Sequence, residues 1–271
     1  MTTTVTLAAP TAWDVNTMPN TEPNTEPNTE PNTEPNTEPN TELNTDLEIR
    51  QLINAVEQAS SKLELISAVQ HLAAARSPLA IPTLIKALGY NNPGAAAAAM
   101  AGLVTLGKTA VPQILANIDQ FNYGARAYSV RAIAQIGDPR GLELLLNSAI
   151  TDFAPSVRRA AIKGLGNLKW ENYSLTEISV ALTQILATLR SMLKDEDWSI
   201  RYAAVVALDQ LANDLADQGK LTYSEQAIAD LQTALDLEQG REVSIIARIQ
   251  VALAKFPSTH LSTHLPIQPQ F

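Results

Sequence analysis

Between Phe121 and Trp170 the chain carries Arg126, Arg131, Arg140, Arg158, Arg159, Lys163 and Lys169 against only three acids, Asp138, Glu143 and Asp152. Guanidinium groups bind carboxylates and phosphates with paired hydrogen bonds. Interleaved with these cations are Tyr123, Tyr128, Phe153 and Trp170, whose rings offer flat faces to a planar partner. Cations set among aromatics suit a ligand that is anionic, conjugated and planar. The candidate contacts are Tyr123, Arg126, Tyr128, Arg131, Arg158, Arg159 and Trp170. A competing reading applies to part of this set. Helical repeats commonly place an arginine where it pairs with an aspartate of the adjoining turn, which would account for Arg126 and Arg158, and most directly for Arg140.

Other chemistries find no support. The chain has no cysteine, hence no thiolate nucleophile, thiolate metal site or disulfide framework. It has no G-x-G-x-x-G, no phosphate-binding loop, no H-E-x-x-H and no nucleophile elbow. His71 has no second ligand three or four residues away, and His260 and His264 recur only because Ser-Thr-His-Leu is repeated. No metal site is assigned. No apolar run reaches the length of a membrane span, and residues 1–10 lack the basic region of a secretory signal.

The elements that must position these residues are repeats. Arg126–Ile136 and Arg158–Leu168 each open on arginine, run through small apolar residues and reach a branched aliphatic residue ten positions on; their offset is 32 residues. Ile81-Pro82 and Val111-Pro112 lie 30 residues apart, with proline where a first helical turn tolerates it. Arg201–Leu211 repeats the pattern at an offset of 43, because residues 169–197 are a longer connection, and Val243–Ala254 is a last, incomplete unit. A period of this length with two helical patterns per unit is the signature of an α-solenoid, whose helix pairs bury their faces on one another. The expectation is an all-α solenoid of about five helix pairs with a capping helix.

The net charge of −9 belongs to one end. Residues 1–46 hold eight acids and no lysine or arginine, leaving twenty acids against nineteen basic residues in the remainder. Within this tail Pro-Asn-Thr-Glu is repeated six times over residues 19–42. Proline at every fourth position and the lack of apolar residues predict disorder. The expected organisation is a disordered acidic tail over 1–46, the solenoid over 47–256, and a disordered C-terminal tail over 257–271. A surplus of four positive charges in one window of an acidic chain is small for a nucleic-acid interface.

Three segments carry a family resemblance: LAAARSPLAIPTLIKALGYNNPGAAAAA (72–99), FNYGARAYSVRAIAQIGDPR (121–140) and TDFAPSVRRAAIKGLGNLKW (151–170). Over roughly residues 50–255 the chain resembles the F subunit of the E/F-type phycobilin lyases, HEAT-repeat proteins of cyanobacterial and red-algal light harvesting. The resemblance implies a HEAT-repeat solenoid that forms a heterodimer with an E-type lyase subunit. It also implies attachment of phycocyanobilin through a thioether to a cysteine of the phycocyanin α subunit. Phycocyanobilin would be a transiently bound substrate, with no permanent cofactor, and the setting would be cytoplasmic, near phycobilisome assembly. Two bilin propionates would match the arginine surplus and the long conjugated tetrapyrrole the aromatics. Asp152 becomes the candidate catalytic acid, facing protonated pyrrole nitrogens. The competing reading is a HEAT-repeat adaptor that binds only protein.

Overall fold

The computed structural model describes residues 38–119 and 121–256, with side chains from Asp46 onward. The helical repeats belong to one unit, Asn40–Phe271, of the two into which the chain divides. The disorder expected over residues 1–37 and 257–271, and with it His260 and His264, lies outside the described residues. The first helix, α1 (Glu38–Gln58), begins inside the segment assigned to the tail. Pro39 falls in its first turn, where the missing N–H has no partner to lose, so the sixth Pro-Asn-Thr-Glu unit opens a helix.

Among the described residues the regular structure is entirely helical. After α1 come α2 (Lys62–Ala74) with α3 (Ile81–Leu88), α4 (Pro93–Leu106) with α5 (Val111–Ala116), and α6 (Tyr123–Ile136) with α7 (Leu142–Thr151). They are followed by α8 (Pro155–Leu165) with α9 (Leu175–Met192), α10 (Trp198–Asp217) with α11 (Leu221–Leu237), and α12 (Val243–Leu253). Five pairs and a closing helix match the sequence expectation. The first members α2, α4, α6, α8, α10 and α12 pack successively on one another, while α7 packs on α9 and α9 on α11 in a second layer. The core between the layers is aliphatic and alanine-rich, including Leu72, Leu84, Ala99, Ile133, Ile162, Leu182 and Leu208.

Local sequence explains several of the starts and stops. Pro82 and Pro112 sit in first turns of α3 and α5, where proline's fixed φ favours the helix. Asn92 and Asn122 are N-caps 30 residues apart, accepting from the amides of Ala95 (3.2 Å) and Ala125 (3.1 Å). Such caps satisfy donors that the first turn leaves unpaired. Each also reaches back one repeat through its side-chain amide, Asn92 to the Lys62 carbonyl at 3.0 Å and Asn122 to the Gly89 carbonyl at 3.1 Å. The GYNNPGAA and NYGAR segments are therefore staples between repeats. Gly137 ends α6 in the left-handed region (φ 69°), and a Cβ there would lie 2.5 Å from the Asn167 carbonyl oxygen, so only glycine fits.

The first-layer helices cross closely. A Cβ at Gly164 of α8 would stand 2.6 Å from the Cβ of Ala134 and 2.8 Å from its Cα on α6. Gly164→Ala is expected to push α6 and α8 apart and cost about 1–3 kcal/mol. For a domain of this size that is a fall of roughly 2–10 °C in thermal midpoint, readable by circular dichroism; an unchanged midpoint would mean that the crossing is loose.

Candidate functional site

The arginines that open the repeats form a ladder. Arg126, Arg158 and Arg201 each occupy the fourth residue of their helices α6, α8 and α10. Each reaches the acid in the turn before the next first-layer helix. Arg126 Nε lies 3.0 Å from Asp152, Arg158 pairs with Asp195, and Arg201 Nε lies 2.5 Å from Glu238. The acids in turn organise their own loops: Asp152 accepts from the Ala154 amide at 2.9 Å and Asp195 from the Asp197 amide at 2.9 Å. Arg158 also donates to the Ala149 carbonyl. Arg140 chelates Asp138 within its own turn and donates to the Lys108 carbonyl at 2.7 Å. For these residues the repeat-stitching role is what the geometry displays.

Asp152 is nearly enclosed, with its side chain 5% exposed. Both of its oxygens are used, one by Arg126 and one by the Ala154 amide. It is oriented to hold the α7–α8 turn. Asp152→Asn is expected to weaken the fold by about 1–3 kcal/mol and to leave bilin transfer per folded molecule unchanged. A transfer rate that collapsed while the melting curve stayed in place would restore the catalytic role suggested by sequence.

The remaining candidates fall into three places. Tyr123 packs against Phe153 with their rings tilted at 42° (centroids 5.5 Å apart), its hydroxyl is 3.0 Å from Ser156 Oγ, and the Arg126 guanidinium lies over both rings at 5.8 and 5.2 Å. Trp170 is elsewhere, in the connection between α8 and α9, edge-on to Tyr173. With Pro139, Leu142 and Val180 it lines an apolar recess of about 390 Å³ against the second layer. Arg131 and Arg159 are brought together, in a groove of about 510 Å³ across the free face of α6, α8 and α10. Tyr128 stands beside Arg131, whose guanidinium lies 5.5 Å from its ring centroid.

This groove is the candidate site. Its cations are Arg131, Arg159 and Lys163, its neutral polar residues are Gln135, Ser156, Asn167 and Gln210, and among the described residues no carboxylate lines it. Ala134, Ala160 and Gly164 complete the lining. Arg159 is braced by Ser199 Oγ at 3.0 Å, and Ser199 by Asp197 at 2.7 Å, at the N-cap of α10. Hydrogen bonds from Ser199 hold the Asp197 carboxyl below the ordinary carboxylate range, helped by the positive fields of Arg159 and Arg158. Asn167 donates to the Ala134 carbonyl at 3.0 Å and accepts from Gln210 at 3.2 Å, tying α6, α8 and α10 together beneath the groove.

Sequence reasoning counted Lys163 in the charge surplus but did not single it out, and missed Gln135, Asn167 and Gln210. A signal was present: Arg159 and Lys163 lie four residues apart, which sets them on one stripe of α8, and Asn167 follows in the turn after it. Among the described residues no cluster of three His, Asp or Glu side chains could hold a metal ion, and no helix is long and apolar enough to cross a membrane.

Comparisons agree with the architecture. The "PBS lyase HEAT-like repeat" model matches residues 125–150 and the "HEAT repeat" model residues 185–215. The chain is similar to the phycocyanobilin lyase subunit beta of Nostoc sp. (strain PCC 7120), with 50% identity covering 68% of this chain and 94% of the relative. It is similar also to the phycocyanin alpha phycocyanobilin lyase CpcF of Synechocystis sp. (strain PCC 6803), with 52% identity covering 61% and 77%. Among solved structures, it matches a chain in the complex of CpcE and CpcF of phycocyanin lyase from Nostoc sp. PCC 7120. That match has a TM-score of 0.56 and 48% identity, covering 65% of this chain and 99% of the other. With half of the aligned residues identical over 94% of a curated relative, and with the same stacked helix pairs, the chain belongs to the family of phycocyanobilin lyase beta (CpcF-type) subunits.

Proposed function

We propose that this chain is the F-type subunit of a heterodimeric bilin lyase, which with an E-type partner attaches phycocyanobilin to a cysteine of the phycocyanin α subunit. The observation that carries this reading is the 50% identity to a lyase beta subunit across 94% of that relative's length. A solved relative at 48% identity is found in complex with CpcE, which supports the heterodimer. The same kinship favours the lyase over a protein-binding adaptor, which the solenoid alone would equally accommodate.

The reaction joins the acceptor's sulfur to a carbon of the bilin's exocyclic double bond, and the thiol proton passes to the second carbon of that bond. The chain has no cysteine, so it holds no thiol that competes with the acceptor's. Its contribution is to bind and orient the chromophore, which lowers the barrier by fixing the double bond in reach of the thiol. Of the residues suggested by sequence, Arg131 and Arg159 are retained as bilin contacts, with Tyr123 and Tyr128 at the margin of their groove. Arg126, Arg158 and Asp152 hold repeats together, and Trp170 faces the other layer. The bilin is a transient substrate, and the setting is the cytoplasm, where phycobilisomes are assembled.

The test is co-expression of this chain with an E-type partner, phycocyanin α subunit and phycocyanobilin. Covalent bilin fluorescence on the α subunit in denaturing gels should disappear when this chain is omitted. Pigment attached equally well without it would sink the reading.

A further inference from the structure

Seven arginines among the described residues pair with acids, whereas the groove across α6, α8 and α10 gathers three cations and, among the described residues, no carboxylate. Arg140, Arg190, Arg201 and Arg248 pair with Asp138, Asp230, Glu238 and Asp209. Arg131, Arg159 and Lys163 make no ion pair among the described residues. Three like charges brought together without a counter-charge repel one another, and they are tolerated where an anion is to be received. Two of the three are held in place before any ligand arrives: Arg159 by Ser199 Oγ at 3.0 Å, and Arg131 by the ring of Tyr128. Preorganised cations lose less freedom on binding than mobile ones.

The lining between the cations is as telling as the cations. Ala134, Ala160 and Gly164 are the small residues of the groove. Gly164 is so close to Ala134 that even one added methyl would clash. The two helices therefore meet there with almost no side chain between them. Small residues bordered by cations leave room for a flat conjugated body carrying carboxylates on its edge.

Resting on the lyase reading above, we infer that this groove is the carboxylate-binding half of the chromophore site. Arg131 on α6 and Arg159 with Lys163 on α8 take the two propionates of the linear tetrapyrrole, and its conjugated rings lie on Ala134, Ala160 and Gly164. Lys163, which the sequence did not distinguish, is a full member of the site. Arg126 and Arg158 are not, although Arg158 is adjacent in sequence to Arg159, because their guanidiniums are turned to Asp152 and Asp195.

The experiment compares phycocyanobilin with its dimethyl ester, which keeps the conjugated body and removes both charges. Binding is read from the visible absorption of the complex formed by full-length chain and E-type partner. The wild-type complex should bind the free acid about ten- to a hundredfold more tightly than the ester, the range for charge-assisted contacts. The variant Arg131→Gln/Arg159→Gln/Lys163→Gln should bind acid and ester alike, at the affinity the wild type shows for the ester. The ester arm needs no substitution, so it stands even where the triple variant assembles poorly. Equal binding of acid and ester by the wild type, a preference that survives in the triple variant, or no binding of either compound overturns the assignment. Covalent transfer by the wild type, measured separately, distinguishes the two levels. Transfer with no preference for the acid leaves the lyase reading and removes this site. A preference for the acid that the triple variant abolishes, without transfer, leaves a bilin-binding site and removes the lyase reading.

Discussion

Replacing Arg201 by alanine should cost about 3–5 kcal/mol, a large share of the stability of an ordinary domain. Its side chain is 5% exposed and that of its partner Glu238 2%. The guanidinium is fully committed: Nε donates to Glu238 Oε1 at 2.5 Å, and Nη1 donates to the carbonyls of Asp195 and Glu196 at 3.0 and 2.9 Å. Truncation leaves the buried carboxylate with only the half-exposed Arg241 at 3.7 Å in place of its near cation, and two carbonyls without their donor. That penalty, more than the lost attraction, sets the size of the effect. The consequence is spatial as well, because these carbonyls belong to the loop that carries Asp195, the partner of Arg158 one rung earlier. Chemical denaturation should show Arg201→Ala and Glu238→Ala each strongly destabilised. The double replacement Arg201→Met/Glu238→Leu should be far less so, since it leaves no orphaned charge. A double variant as unstable as the sum of the single ones would mean that the two residues are not coupled and that the buried pair does not set the effect.

Removing Asp209 should unfasten the closing helix at a cost of about 2–4 kcal/mol. This is below the full penalty for a buried pair because its cationic partners are partly solvated. Asp209 lies on α10 and is approached from α12 by Arg248 Nη2 at 2.5 Å and from just beyond that helix by Lys255 Nζ at 2.7 Å. Asn213 adds a hydrogen bond to the same carboxylate at 2.9 Å. Burial pushes the Asp209 carboxyl up, and the hydrogen bonds from Lys255 and Arg248 more than offset it, so the net direction is downward from the ordinary value. A carboxyl depressed in the folded state releases its proton more readily there than in the unfolded chain. Its stabilisation is therefore fully present above the unfolded value near 3.9 and is lost as pH falls through the lower folded value. The wild type should lose stability on acidification below about pH 4, where the curve for Asp209→Asn is flatter. Parallel curves for the two proteins across that range would remove Asp209 from the acid response.

The two effects bear on function through the same geometry. Asp195 and Asp197 lie in the loop that Arg201 secures, and Asp197 holds the Ser199 that braces Arg159 in the groove. A repeat loosened at Arg201 thus also loses one of the preorganised cations of the proposed chromophore site. Stability and bilin affinity should fall together in Arg201→Ala, and separately in the groove variants, whose cations carry no ion pair of the fold.

The architecture was legible from the chain because its signals are local. The 32-residue offset between Arg126 and Arg158, the prolines at 82 and 112, and Gly137 before Asp138 mark helix starts and stops by backbone sterics and unpaired amides, which depend on a few neighbouring residues. The onset of α1 at Glu38 escaped the same reasoning because a repeated tetrapeptide invites one assignment for all its copies, whereas its last proline meets the tolerant first turn of a helix. The resemblance to bilin lyases was equally readable, being carried by the contiguous segments around Asn92 and Asn122 that cap and staple the repeats.

The site was only half legible. A positive surplus among aromatics drew attention to residues 121–170, and two of its arginines meet in the groove. Composition cannot say which way a side chain points. Successive residues on a helix are turned by about 100°, so Arg158 and Arg159 face different surroundings, one an aspartate at the next turn and the other an open face. Nor does sequence distance show that Arg131, Lys163 and Gln210 come together: they sit on three helices whose register is fixed by Gly164 against Ala134 and by Asn167 bridging to Gln210. Periodicity and capping, which are interactions within a turn or two of helix, determined the solenoid. The pairing of arginines with acids 26–40 residues away is decided by how the repeats stack, and that is a property of the tertiary structure.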